Sequence, residues 1–241
     1  MRFDIITIFP ESLRGYFSVS ILGRAQKSDR IKINLHNLRD FAEDKHKKTD
    51  DNPFGGGPGM VMKIEPIALA IGSILKSNLK SQISKLKKTK IILFSPSGKQ
   101  FTQKMAKSWA KKYDNLILIC GRYEGVDERV KKIMLARREG GKAEEISIGP
   151  YILTGGELPA AVVADAVARH IPNVLGKEGS LEEKREMSGF PVYTKPEFFE
   201  YQGKKYNIPK ILLSGHHEKI KNWRTQHSKK FFKEKFNFKI I

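Results

Sequence analysis

Residues Ser147 to Ala161 (SIGPYILTGGELPAA) form a glycine-rich stretch that runs straight into an apolar helix and contains no lysine. A phosphate cradle of the P-loop kind needs a lysine beside its glycines, so this turn is a poor phosphate site. Gly149, Gly155 and Gly156 can instead let backbone N–H and C=O groups approach a ligand closely, which suits reading the edge of a purine ring. Upstream, the apolar run Leu116 to Cys120 ends in Gly121-Arg122-Tyr123-Glu124-Gly125, and Ile91 to Phe94 leads into Ser95-Pro96-Ser97-Gly98. Ligands of open α/β sheets sit beyond the carboxyl ends of strands. Three strand-then-loop units therefore suggest one pocket built from backbone, with Glu124 as its carboxylate. On spacing alone they also read as ordinary βα turns. His216-His217-Glu218 invites a metal reading, but adjacent histidines do not share a helix face and no third histidine stands at ligand spacing, so zinc is not expected.

The elements that must position these loops are legible as alternating patterns. Arg2 to Phe9, Ile31 to Leu35, Lys90 to Phe94, Leu116 to Cys120 and Ile146 to Ile148 read as strands. Ile67, Ile71, Ile74 and Leu75 recur at helical spacing, as do Phe101, Met105 and Trp109, with lysines opposite. Ala160 to Arg169 reads as a further helix, with Pro159 tolerated in its first turn. Such alternation predicts a mostly parallel sheet with helices on both sides. The lysine-rich run Lys76 to Lys90 reads as a helix end plus a solvated loop, and Asn173 onward, rich in Gly, Glu and Lys, as a linker. Helical character resumes through Lys210 to Lys235.

The chain has 241 residues, enough for one core and a small extra domain, and its 39% hydrophobic content excludes a disordered chain. A net charge of +19 points to a polyanionic partner, although a lysine-rich composition alone gives the same total. Distribution decides: Gln202 to Ile241 holds eleven Lys/Arg against Glu218 and Glu234, nearly half of the surplus in the last sixth of the chain. Cys120 is the single cysteine, which excludes an intramolecular disulfide. The opening apolar run is too short for a signal peptide and no segment reaches a membrane span, so a cytoplasmic location is expected.

The wording of the segments adds what spacing cannot. CGRYEGVDERV (Cys120 to Val130), SIGPYILTGGELPA (Ser147 to Ala160), DAVARHIPNVLG (Asp165 to Gly176) and DDNPFGGGPGM (Asp50 to Met60) closely resemble the TrmD family, the bacterial tRNA (guanine-N1)-methyltransferases of the SPOUT superfamily. Shorter matches, from IFPE at Ile8 to SGHHEKI at Ser214, extend the likeness over nearly the whole chain in family order. The resemblance implies an α/β fold with a deep trefoil knot, which no periodicity argument would propose. It further implies a homodimer with the active site at the subunit interface. The implied domains are a methyltransferase domain at 1–172, a linker at 173–207, and a small, basic, α-helical tRNA-binding domain at 208–241 that ends early.

The implied activity is transfer of a methyl group from S-adenosylmethionine to N1 of the guanosine at position 37, beside the anticodon of tRNA. That chemistry needs a base for the N1 proton and a cation for charge gathering on O6. Arg169 of DAVAR is the implied cation. The family's general base is an aspartate, but this chain reads Glu182-Glu183-Lys184 there, which makes Glu183 the first substitute and Glu186 the second. The cofactor pocket carries over to Leu93, Ser95, Pro96, Gly121, Tyr123, Glu124 and Gly125, together with Ser147, Ile148, Gly149, Pro150, Tyr151, Ile152, Leu153, Gly155, Gly156 and Pro159. Pro150 stands where the family has an acidic residue. Contacts to tRNA carry over to Arg24, Lys45, His46, Asp50, Gly55, Gly56, Gly57, Gly59, Ser214, His216 and Arg224. Two alternatives stay open: another SPOUT RNA methyltransferase, or a tRNA-binding homologue with impaired catalysis, for which Lys184 is the reason.

Overall fold

A computed structural model describes residues 1–80, 88–135, 143–175 and 190–235. Five parallel strands form the central sheet: β1 (Arg2–Thr7), β2 (Lys32–Asn37), β5 (Thr89–Gln100), β6 (Asn115–Ile119) and β7 (Ala143–Ser147), in the order β2-β1-β6-β5-β7. The helices are α1 (Glu11–Ser18), α2 (Ser20–Lys27), α3 (Ile64–Lys80), α4 (Gln103–Lys112), α5 (Arg129–Leu135) and α6 (Glu157–Ala168).

Both sheet faces are covered, which is why the strands read as unbroken apolar runs. Successive residues of β6 point to opposite sides: Leu116 and Leu118 join a core with Phe3, Ile92, Trp109 and Val163, while Ile117 and Ile119 join one with Ile6, Ile71, Leu93 and Val130. Helix α4 packs on α6 on the first side, and α3 on α5 on the second. Thr102 caps α4 by accepting the Met105 N–H at 3.3 Å. Helix α6 is apolar almost all round and correspondingly buried, with Leu158 and Val162 as exposed exceptions. Lys90 is buried inside β5, where it pairs with Glu144 of β7 at 2.7 Å and lies 5.1 Å from the ring centre of Trp109.

Two expectations change here. Ser95 to Gly98 is not a loop after a strand but part of β5, whose register against β7 slips between Phe94 and Lys99. The bulge brings Gly98 so close to β7 that a Cβ there would meet the Ile146 nitrogen at 2.6 Å. The second concerns the C-terminal part. The chain divides into two compact units, Met1–Gly176 and Lys177–Ile241. The segment 173–207 expected as linker carries an antiparallel hairpin of β8 (Phe198–Tyr201) and β9 (Lys204–Asn207), and the described residues after it form a 3₁₀ turn (Lys210–Leu213) and α7 (His217–Lys235). Gln202 and Gly203, both at positive φ, make the two-residue turn that the right-handed twist of a hairpin favours.

Candidate active site

A cleft of about 270 Å³ opens at the carboxyl ends of β5, β6 and β7. Its walls are the bulge of β5, the loop Gly121 to Gly125, and the turn that leads from Ser147 to the first turn of α6. The turn is held from within: Ser147 Oγ donates to the Gly149 carbonyl at 2.9 Å, and the Phe101 N–H of the β5 end donates to the Ser147 carbonyl at 2.7 Å. The Gly156 N–H donates to the Gly121 carbonyl at 2.9 Å, stitching the two loops together. Gly156 has no room for a side chain, since a Cβ would lie 2.6 Å from Cys120 Cα and 2.9 Å from the Gly121 nitrogen. Tyr123 and Gly125 hold left-handed conformations that turn the loop back over the sheet.

Of the seventeen residues assigned to a cofactor from the sequence, fifteen line this cleft. Leu93 and Pro150 do not. Leu93 points to the opposite face of the sheet, into the core with Ile119, and by strand alternation its neighbour Phe94 takes the lining position. Pro150 faces solvent at the outer rim of its turn. The lining adds Arg122, Ile146 and Thr154, which the sequence reading passed over.

Beneath the cleft lies a polar network of which only the glycine motif gave any sign. Glu157, buried at the start of α6, accepts from Thr7 Oγ1 at 2.6 Å and from Arg122 Nε at 2.9 Å. The Arg122 guanidinium also donates to the Thr154 carbonyl at 3.3 Å and sits 4.8 Å from the centre of the Phe9 ring. One buried carboxylate therefore ties β1, the loop after β6 and the head of α6. Thr7 looked like any residue of an apolar strand, and Glu157 like a helix-start acid; only the fold brings them together. At the other side of α6, Tyr16 Oη donates to Asp165 Oδ2 at 2.5 Å, and this bond, with burial second, pushes the tyrosine pKa up to about 12.

The loop Asn52 to Gly59, whose glycines the resemblance assigns to RNA, follows β3 (Asp50–Asp51), and the chain from it into β4 (Val61–Met62) lies directly against the cleft. Glu124 N–H donates to the Met60 carbonyl at 3.0 Å and Met62 N–H to the Gly125 carbonyl at 2.9 Å. A Cβ on Gly59 would reach Glu124 Oε1 at 2.5 Å. Gly55, Gly56, Gly57 and Gly59 all have positive φ, and Phe54 at the tip is fully exposed. Arg24 is exposed on α2, and Lys45 and His46 lie on a turn whose backbone N–H groups at His46 and Lys48 are accepted by Asp44. Ser214, His216 and Arg224 are exposed in the second unit. Arg169 caps the far end of α6, a helix of twelve residues, so it stands about 18 Å along the axis from the cleft that the first turn lines. Glu183 and Glu186 lie outside the described residues.

Sheet, bulge and cleft define an α/β protein with a site of about 270 Å³ made of backbone edges, apolar side chains, the Glu124 carboxylate and the Glu157-paired Arg122. The family model described as "tRNA (Guanine-1)-methyltransferase TrmD" matches residues 1–236. A Dictyoglomus turgidum protein named tRNA (guanine-N(1)-)-methyltransferase is 51% identical over 95% of this chain and 86% of its own length. Proteins of the same name from Ruminiclostridium cellulolyticum and Bacteroides fragilis are 46% and 45% identical, over 95% of this chain and 91% and 94% of theirs. The chain belongs to the TrmD family. Among the described residues no helix is long and apolar enough to cross a membrane.

Proposed function

We propose that this protein transfers a methyl group from S-adenosylmethionine to N1 of guanosine 37 in tRNA. The observation that carries the reading is the cleft itself, which fits the cofactor in kind. Gly156 and Gly149 leave backbone bare where a side chain would intrude, Phe94, Ile148, Leu153 and Pro159 offer apolar walls, and the Arg122 in the lining is paired with Glu157 instead of standing ready for a phosphate. S-adenosylmethionine, when bound, would supply the methyl group from its sulfonium, the S–CH3 bond breaking to leave the neutral thioether S-adenosylhomocysteine. The chain's part is to hold and orient it, with Glu124 as the cleft's carboxylate. The N1–H bond of guanine breaks as the N1–methyl bond forms. Glu183 takes the proton, and the Arg169 guanidinium stabilises the charge on O6.

Arg169 is too far along α6 to serve the cleft of its own protomer, and this supports a homodimer. Leu158 and Val162 form an exposed apolar stripe on α6, 63% and 46% accessible, of the kind that a two-fold helix contact covers. Such a contact, antiparallel about the two-fold axis, brings the Arg169 end of one helix toward the cleft of the other protomer. The knot belongs to the same reading, since bulge, loop and turn are the segments that would thread. A methyl-transfer assay on an unmodified tRNA transcript, read by the mass of the digested nucleosides, tests the proposal. It expects 1-methylguanosine; a protein that binds the transcript and the cofactor without forming it overturns the reading.

A further inference from the structure

The second unit carries a surface unlike the rest of the chain. All eight strand residues of the β8–β9 hairpin are exposed. Directly paired residues of an antiparallel ribbon share a face. The register pairs Phe199 with Tyr206 and Tyr201 with Lys204, so one face presents three aromatic rings and a lysine and no acid. Glu200 is on the other face, opposite Lys205. Phe199, Tyr201 and Tyr206 are 60%, 56% and 50% accessible, a large apolar outlay for a two-stranded ribbon that gains little stability from it.

The rings are also arranged. Phe199 and Tyr201 lie within 15° of parallel with centres 6.5 Å apart, which is about twice the 3.4 Å rise of stacked bases. On this face Lys204 Nζ stands 5.5 Å from the Tyr206 ring centre, while the Lys205–Phe198 pair, 3.8 Å apart, belongs to the other face. Near-parallel rings at twice the base rise, with a lysine on the same face, offer what an unpaired nucleic-acid strand requires: faces for the bases and charge for the phosphates. The strongly basic 202–241 segment supplies the matching sign. A partner protein with an apolar face would have no use for a cation packed against the rings.

We propose that the Phe199–Tyr201–Tyr206 face of this hairpin is a stacking platform for unpaired bases of an RNA loop. This rests on the proposed tRNA substrate and adds a contact that relies on splayed bases rather than on helix backbone alone. The test uses the full chain and a labelled tRNA transcript, with binding followed by fluorescence anisotropy over a range of salt. Phe199→Ala and Tyr201→Ala should each weaken binding at least about fivefold with the salt slope unchanged, because base stacking is lost and no ion is released. Lys204→Gln should instead reduce the slope by about 0.7. Tyr201→Phe and Phe199→Tyr, which keep a ring, should bind like the parent. Cofactor affinity within twofold of the parent in every variant confirms that the cleft is intact. If the parent binds tRNA and the alanine variants match it, the platform is wrong and the proposed function stands. If the parent binds no tRNA, both fall. Alanine variants that change the sedimenting mass, with RNA affinity unchanged, would mean a protein contact instead and also overturn the proposal.

Discussion

Arg122 donates from Nε to Oε2 of Glu157 at 2.9 Å, and through this pair the loop that forms one wall of the cleft is fixed to the helix that forms another. The carboxylate is buried and its second oxygen is held by Thr7. Removing either partner leaves a charge that has lost its complement in a place water does not reach freely. Glu157→Ala and Arg122→Ala should each cost about 3 kcal/mol of unfolding free energy, measured by urea denaturation. Glu157→Gln should cost less, because its amide oxygen can still accept from Thr7 or Arg122. Unchanged midpoints in both alanine variants would mean that the network does not hold the walls.

Gly156 and Gly149 should differ in their tolerance of a methyl group. At Gly156 the added Cβ meets backbone of Cys120 and Gly121, whereas at Gly149 it meets the Tyr151 ring, which can swing away. Gly156→Ala should therefore lose about 2 kcal/mol and most cofactor affinity, with Gly149→Ala affected far less. Calorimetric titration of S-adenosylmethionine against both variants checks the order.

Asp4 sets an acid limit on stability. Burial would raise its pKa, but hydrogen bonds from His36, Arg2 and Asn34 outweigh that and hold it below the ordinary 3.8. A depressed carboxylate contributes stability that is present above the unfolded value and lost as pH falls through the folded one. Unfolding free energy should thus decline below pH 3.8, and the decline should be shallower in Asp4→Asn. The substitution should also cost about 2 kcal/mol at neutral pH through its weaker hydrogen bonds.

If Arg169 serves the partner's cleft, two inactive variants should rescue each other. Arg169→Ala keeps a sound cleft and Gly156→Ala a sound arginine, so their mixed dimer holds one complete site. After denaturation and joint refolding in equal amounts, about a quarter of the parental methyl transfer should return. No recovery would place Arg169 at its own cleft or away from the chemistry.

What the sequence disclosed follows from the range of the forces involved. Strands buried on both faces, such as Leu116 to Cys120, announce themselves as apolar runs, and Ile67 to Leu75 announces a helix by period. The short helices α1, α2 and α5 have too few turns for a period to stand out. The hairpin mixes aromatic and charged residues without a period and has no buried face, so its strands read as linker although Gln202-Gly203 is a readable turn. The glycine motifs disclosed most of the cleft lining, while Thr7 and Glu157 are 150 residues apart and carry no local mark of their bond. Leu93 lies outside the cleft lining for a reason of parity: one residue along a strand reverses the face.

Cys120 follows the central strand β6 directly beneath the Gly156 turn, fully buried. Burial first, and then the Glu157 charge, push its thiol well above the ordinary cysteine range despite Arg122 nearby. As a thiol held protonated and out of reach, it is inert to alkylating reagents while the sheet is intact. Since the sequence has no other sulfhydryl, the rate at which the chain takes up such a reagent becomes a clock for the opening of the sheet under the cleft. Saturating the cleft with cofactor should slow that clock, so occupancy could be timed without following the reaction at all.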